Sequence, residues 1–249
     1  AKHLIDEGLV GRVYHFRGYF LTDFAIDPNV PFSWRFESSV CGSGAIGDIG
    51  SHVIDFARYV VGDFDSVVAA TETFIDQRPM STGATDTIVA MTSRGERASK
   101  VGKVDVDDAA IFLARFRNGA LGSIEASRFA TGRKFRVGFE VNGSKGAVCF
   151  DFERMNELLY YSVEDPDARQ GFKRIVCGPA HPYGRFWWPL PGFNIGWEET
   201  KVDEIYDFTD AIVNDEEIEP SFYDGWKVNE VIDAVLESRK KGAWVSLPD

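Results

Sequence analysis

The sequence predicts an α+β fold in which a large, open, mostly antiparallel β-sheet is backed by helices on one face. Strand-like segments follow one another through the middle of the chain, whereas helical periodicity is confined to one earlier segment and to the last third. The dipeptides Asn118-Gly119 and Asn142-Gly143 lie between alternating segments, a pattern typical of tight hairpins. Because hairpins join antiparallel neighbours and the two kinds of element are segregated, we expect α+β rather than a parallel α/β sheet.

The elements can be assigned in chain order. Apolar residues among early charges predict a short helix that ends at Gly8, and residues 25–44, rich in Asp, Pro, Ser and Gly, predict a long structured loop. Runs of β-branched and aromatic residues predict the strands. They are Val13–Phe24, Ser66–Phe74, Thr87–Thr92, Ala109–Phe116, Ala120–Phe129, Phe135–Asn142, Ala147–Phe150, Met155–Val163 and Arg174–Cys177.

Three longer helices are predicted from apolar residues that recur every three or four positions. The first covers residues 45–61 and is stopped by Gly62, and the third has Asp224 as its N-cap candidate and Gly242 after its end. Their apolar faces are, in turn, Ile46, Ile49, Val53, Phe56, Ala57, Val60 and Val61; Val202, Ile205, Phe208, Ile212 and Val213; and Val228, Val231, Ile232, Val235 and Leu236.

Composition excludes several classes of protein. The chain has 249 residues and a formal charge of −12, so a nucleic acid or an anionic membrane surface would be repelled. It lacks the run of about 18 apolar residues that a transmembrane helix needs, and no signal-peptide core opens it, so a cytoplasmic location is expected. Three scattered cysteines predict neither disulfides nor a metal site. The acidic runs Asp105–Asp108 and Asp215–Glu219 are predicted to be solvated turns.

A glycine-rich hexapeptide precedes the first long helix. Gly42-Ser43-Gly44-Ala45-Ile46-Gly47 matches the G-x-G-x-x-G pattern of dinucleotide-binding loops, but no short apolar strand precedes it and the hairpins that follow do not suit a parallel sheet. The glycines permit unusual backbone angles and a close approach of another group. Two interpretations stay open: a tight loop packed beneath a neighbour, or a loop facing a ligand or cofactor ring.

The polar face of the same helix carries titratable groups. Asp48, His52, Asp55 and Tyr59 are four, three and four residues apart, so they share one side of the helix. A carboxylate one turn from an imidazole raises its pKa and orients it, which makes Asp48 with His52 a usable proton-transfer pair. The residues alone equally allow a capping carboxylate beside an exposed histidine.

These residues, taken together, resemble a known family. Gfo/Idh/MocA oxidoreductases have a W-R pair followed by the pattern G-G-G-a-x-x-D-x-G-x-H-x-x-D. This chain resembles both parts, with Trp34-Arg35-Phe36 for the first and Gly42-Ser43-Gly44 through Asp48-Ile49-Gly50-Ser51-His52-Val53-Ile54-Asp55 for the second. Ser43 stands in place of the middle glycine. Residues 1–11 and 191–198 also resemble corresponding family segments. The resemblance implies a fold like the C-terminal domain of dihydrodipicolinate reductase.

The resemblance also implies a domain organisation and a cofactor. An N-terminal Rossmann domain, with the catalytic lysine of an E-K-P motif, would precede residue 1 and bind most of the NAD or NADP. Residues 1–11 would be a remnant helix and connector from it; loss of an initiator methionine is the alternative explanation for the start of the chain. Residues 12–249 would form the substrate-binding and oligomerisation domain, a homo-oligomer forming through the open sheet face.

Site roles follow from the same resemblance. His52 would exchange the proton of a sugar or polyol hydroxyl, and Asp48 would hold the substrate or tune His52. The other residues implied are Trp34, Arg35, Arg128 and Asn194 for substrate and Gly44 and Trp34 for cofactor. An exposed strand arginine is the alternative for Arg128, and Asn194 stands where relatives have a histidine in P-G-H.

The aromatic segment His181–Pro189 suits partial burial at a subunit interface or stacking on a sugar, the former being favoured. A sugar or polyol dehydrogenase is the leading hypothesis for the whole protein. Two others remain: a non-enzymatic sugar-sensing or assembly module, and an NAD-dependent glycosidase.

Overall fold

The computed structural model describes residues 1–80, 100–187, 189–190 and 192–248. The strand predicted at Thr87–Thr92 and residue Trp188 lie outside these ranges. The strands, in chain order, are β1 (Val13–Leu21), β2 (Phe64–Glu72), β3 (Gln77–Pro79), β4 (Val101–Lys103), β5 (Ala109–Phe116), β6 (Leu121–Ser127), β7 (Arg136–Gly143), β8 (Gly146–Asp151), β9 (Glu157–Ser162), β10 (Lys173–Val176) and β11 (Val245–Ser246). Most lie within two or three residues of their predicted positions.

Nine of the described strands form one sheet in the order β10-β9-β8-β7-β1-β6-β5-β2-β11, and β3 and β4 pair separately. Every neighbouring pair in the large sheet is antiparallel except β1 with β6, which is parallel. Both predicted hairpins are present. Asn118-Gly119 lies in the turn from β5 to β6, whereas Asn142-Gly143 ends β7 and the turn to β8 is Ser144-Lys145. Gly119 has a φ of +88°, which a glycine adopts without steric cost.

The helices are α1 (Lys2–Asp6), α2 (Ser38–Cys41), α3 (Ser51–Val60), α4 (Gly184–Trp187), α5 (Trp197–Asn214) and α6 (Phe222–Lys241). A π-helical turn, Ile46–Gly50, runs directly into α3, so the predicted 45–61 helix has two parts. The predicted N-cap of α6 is wrong. Ser221 is the cap, accepting a hydrogen bond from the Tyr223 amide, and Asp224 completes a capping box by accepting from the Ser221 amide.

One face of the sheet is covered by α3 and α6, and the other is open. Along β5, side chains alternate: Phe112 and Ala114 are buried beneath the helices, while Ile111 and Leu113 are exposed on the opposite face. The predicted fold class is therefore confirmed. None of the helices in the described ranges is long and apolar enough to cross a bilayer.

The acidic run Asp105–Asp108 departs from its prediction. Asp107 and Asp108 are buried rather than solvated. The Asp108 carboxylate accepts hydrogen bonds from the Phe74 and Ile75 amides. The segment passes beneath the glycine-rich loop, so its carboxylates replace water as partners for backbone N–H groups.

Candidate active site

The glycine-rich loop packs on Asp107. Its carboxylate accepts hydrogen bonds from the amides of Gly44, at 2.7 Å, and Ile46, at 2.8 Å, at the start of the π-helical turn. A Cβ atom at Gly44 would lie 1.8 Å from the Asp107 carbonyl oxygen, so only glycine fits there. This geometry supports the interpretation of a tight loop packed beneath a neighbour. The cofactor contact assigned to Gly44 stays a prediction.

Asp48 lies in the π-helical turn, and its carboxylate is fixed by an ion pair. Nη2 of Arg128 donates to Asp48 Oδ2 at 2.8 Å. The Arg128 side chain is 1% exposed, whereas that of Asp48 is 29% exposed. Arg128 also donates, at 3.3 Å, to the backbone oxygen of Arg35. The interpretation of Arg128 as an exposed strand arginine is wrong, and its burial leaves almost none of it for a substrate to touch.

His52 lies in the first turn of α3 and is exposed to solvent on one side. Its ring packs on Phe20, with the ring centroids 5.8 Å apart. Desolvation by the surrounding protein atoms lowers the pKa of His52 below its usual value; the carboxylates of Asp48 and Asp55 oppose this shift, and the Lys201 ammonium adds to it. The predicted effect of Asp48 is present, but desolvation exceeds it. The imidazole is therefore neutral at neutral pH and can accept a proton.

The imidazole faces an open cavity of about 510 Å³ between α3 and the first turns of α6. Polar and apolar groups contribute about equally to its lining. The hydroxyl, carboxyl and amide groups come from Ser43, Ser51, Asp55, Ser221, Asp224 and Asn229. Such groups form hydrogen bonds with the hydroxyls of a sugar or polyol.

Trp34 and Arg35 lie on a short 3₁₀ turn, Trp34–Phe36, which Arg128 connects to Asp48. Trp34 is exposed, and the Arg35 guanidinium lies 4.4 Å from the centroid of its ring. Nε and Nη1 of Arg35 are buried, and no acceptor for them is found among the described residues. Buried donors without a partner are costly, so an acceptor oxygen from a bound ligand would fit here.

Asn194 is exposed at the end of the segment that precedes α5. That segment is held by the Asn156 side chain, which donates to the Ile195 carbonyl and accepts from its amide, both at 2.9 Å. Three residues after Asn194, the ring of Trp197 begins an aromatic chain to the site. The substrate contact assigned to Asn194 stays a prediction.

The aromatic chain consists of three contacts. Trp197 packs edge-on against Phe135, with centroids 5.7 Å apart, and Phe135 packs against Phe20 at 4.9 Å. Phe20 in turn contacts His52. Lys201, one turn into α5, is close enough to His52 to lower its pKa. No local sequence pattern indicates that α5 reaches the site, because these contacts join elements far apart in the chain.

The predicted aromatic segment docks on α5 through its polar atoms. Trp187 donates from Nε1 to the Asp203 carboxylate at 2.6 Å, and the Tyr183 hydroxyl donates to Asp207. Tyr183 and Phe186 remain exposed, so the segment leaves aromatic surface on the outside of the molecule. Subunit burial and sugar stacking both stay hypotheses for it.

Comparisons with known proteins agree with this geometry. A model of the GFO/IDH/MocA C-terminal domain matches residues 1–149. Levoglucosan dehydrogenase of Pseudarthrobacter phenanthrenivorans is 47% identical over 100% of this chain and 63% of its own length.

Solved structures give the same result. A levoglucosan dehydrogenase complex with NADH and L-sorbose aligns with a TM-score of 0.90 and 44% identity, over 99% of this chain and 62% of that one. A complex with NADH and levoglucosan aligns with a TM-score of 0.89 and 44% identity, over 100% and 62% of the two chains. The chain thus spans less than two thirds of the length of these relatives. It belongs to the Gfo/Idh/MocA family of oxidoreductases.

Proposed function

We propose that this chain is the substrate-binding part of an NAD(P)-dependent sugar or polyol dehydrogenase, with His52 as the proton acceptor. The observation that carries the proposal is a neutral imidazole, exposed at a cavity that hydroxyl, carboxyl and amide groups also line, beside a carboxylate that a buried arginine holds in place. Relatives of matching fold are sugar dehydrogenases, and their solved complexes hold NADH.

A nucleotide-binding domain with the E-K-P lysine would precede residue 1. Residues 1–11 would form the connection from it and 12–249 the substrate-binding and oligomerisation domain. The longer chains of the relatives support this arrangement. When bound, NAD(P) accepts a hydride from the substrate carbon. Trp34 and the loop at Gly44 would lie beside it. Arg35 would contact the substrate, and its N–H groups that lack an acceptor among the described residues fit a substrate oxygen.

This chain's residues handle the proton. As a substrate C–OH is oxidised to a carbonyl, its hydroxyl proton passes to a ring nitrogen of His52, whose neutral form has a lone pair for it. Oδ2 of Asp48 accepts from Arg128, so we assign the other carboxylate oxygen, Oδ1, to the substrate. That oxygen would accept a hydrogen bond from the reacting or the neighbouring hydroxyl and so orient the sugar.

The open face of the sheet would serve assembly. Ile111, Leu113 and Leu121 are exposed there, on adjacent strands β5 and β6. Apolar side chains on an uncovered sheet face are typical of subunit contacts. The molar mass in solution, measured by size-exclusion chromatography with light scattering, should exceed that of one chain.

The test of the proposal uses the full-length protein. Incubation with NAD⁺ or NADP⁺ and a panel of anhydrosugars, hexoses and inositols should produce NADH or NADPH for some members, in proportion to substrate consumed. Sugar binding by calorimetry without any cofactor reduction would contradict it and favour a sensing module. Release of a reducing sugar without net NADH would contradict it and favour a glycosidase.

A further inference from the structure

Two buried arginines meet around the ring of Phe36, and only one of them faces the site. Arg78 is fully buried, lies 4.4 Å from the Phe36 ring centroid and donates to the backbone oxygens of Ala25 and Asp27. Arg128 is equally buried, 6.0 Å from the same centroid. Arg78 therefore binds backbone carbonyls of the loop at residues 25–27, whereas the shortest hydrogen bond of Arg128 is to the Asp48 carboxylate.

The ion pair of Arg128 has one end inside the protein and one end at the surface. Its guanidinium is closed off, while the Asp48 side chain is 29% exposed, one turn before His52. Burying a guanidinium to reach a half-exposed carboxylate contributes little net stability, because desolvation offsets the attraction. What the pair does supply is geometry: a planar guanidinium held by packing fixes the rotamer of an otherwise mobile side chain.

The same guanidinium reaches a second part of the site. Nη1 donates to the backbone oxygen of Arg35, on the turn that also carries Trp34, while Nη2 binds Asp48. One buried side chain thus sets the distance between the carboxylate and the Trp34–Arg35 turn.

We infer that Arg128 is a positioning residue of the dehydrogenase reaction: it touches neither sugar nor cofactor and acts through Asp48. The inference rests on the proposed function and changes the predicted role of Arg128 from a substrate contact to a support of one. Arg78 is its natural control, since it shares the burial and the aromatic neighbour but not the carboxylate.

A double-mutant cycle in the full-length enzyme tests this. We expect Arg128→Gln to lower kcat/KM about 30-fold and Asp48→Asn to lower it at least as much, with the double variant no worse than Asp48→Asn within about threefold. Arg128→Lys should restore part of the loss, and Arg78→Gln should change the melting temperature but not kcat/KM. If Arg128→Gln fails to fold, Arg128→Lys completes the same cycle.

A second readout does not depend on turnover. The imidazole titration of His52, followed by NMR, responds to Asp48, Asp55 and Lys201, the charged groups that face it. Arg128→Gln removes the cation that neutralises Asp48, so the pKa of His52 should rise; Arg78→Gln should leave it in place.

Three outcomes overturn the inference. Multiplicative losses from Arg128→Gln and Asp48→Asn would show that the arginine acts independently of the carboxylate. Equal effects of Arg128→Gln and Arg78→Gln on kcat/KM and on the titration would make Arg128 merely structural. Full activity in Asp48→Asn would remove the role of Asp48 and that of Arg128 with it. The first two leave the proposed dehydrogenase function standing, whereas absence of any sugar-dependent cofactor reduction in the wild type would overturn that function itself.

Discussion

α3 and α5 look alike in the sequence and differ in the structure. Both have apolar residues at helical spacing, yet Val53 of α3 is 0% exposed and Ile205 of α5 is 63% exposed. The apolar face of α3 packs against β1 and β7, whereas none of the residues of α5 is buried. Periodicity therefore predicts which face of a helix is apolar, but not whether this chain covers it.

The two helices also differ in how they are held to the rest of the protein. Because the apolar face of α3 is locked in the core, His52 on its opposite face has a fixed direction toward the cavity. α5 is attached through side chains: Asp203 and Asp207 bind the aromatic segment, and Trp197 packs on Phe135. We therefore expect α5 to be the less stable of the two.

The largest expected effect comes from placing a charge on each apolar face. Val53→Asp buries a carboxylate without a partner, so the free energy of unfolding should fall by about 4 kcal/mol or more. Ile205→Asp stays in solvent and should change it by less than about 0.5 kcal/mol. Urea unfolding of both variants of this chain measures the contrast. An equal loss in Ile205→Asp would show that the apolar face of α5 is covered in solution.

Two glycines, Gly44 in the packed loop and Gly225 in α6, allow a second contrast in stability with a smaller expected effect. Gly44→Ala forces apart the loop and Asp107, since the new Cβ would lie 1.8 Å from a backbone oxygen. We expect a loss of about 2–3 kcal/mol in the free energy of unfolding. Gly225→Ala, in open space within α6, is the control and should gain about 0.5–1 kcal/mol. A neutral Gly44→Ala would mean that the loop is not held as the structure shows.

Much of this fold can be predicted from the sequence, and the reason is local. Some features are encoded within a few residues: the hairpin at Asn118-Gly119, the strand alternation of β5 and the helical face around Val53. The pairing of Asp48 and His52 on one helix face was predicted for the same reason.

What the sequence could not show depends on contacts between distant segments. Asp107 binds the glycine-rich loop across 61–63 residues, and Arg128 binds Asp48 across 80. An acidic run looks solvated until its partners are known, and a strand arginine looks exposed until the turn above it is placed. The cap of α6 is hard to assign from sequence because both side chains accept hydrogen bonds from amides there. Ser221 accepts from the Tyr223 amide and Asp224 accepts from the Ser221 amide.

The smallest expected effect is on the pKa of His52, which the Lys201 ammonium of α5 lowers. Removing the ammonium in Lys201→Gln should raise the pKa of His52, since that charge lowers it. In the direction of alcohol oxidation, activity is lost as falling pH protonates His52. The acid limb of kcat/KM should therefore lie below the ordinary histidine value of about 6.5 in the wild type and move upward in the variant. The mutation Lys240→Gln, at the far end of α6, is the control and should leave the profile unchanged.

The most direct test of the central claim, that His52 accepts the substrate proton, compares two histidines in the full-length enzyme. His52→Asn should lower kcat for sugar oxidation by about 10²–10⁴-fold without changing the melting temperature, because asparagine cannot take up a proton. His15→Asn, on the open face of the sheet, should leave kcat unchanged. Equal turnover in the His52→Asn enzyme and the wild type would contradict the account.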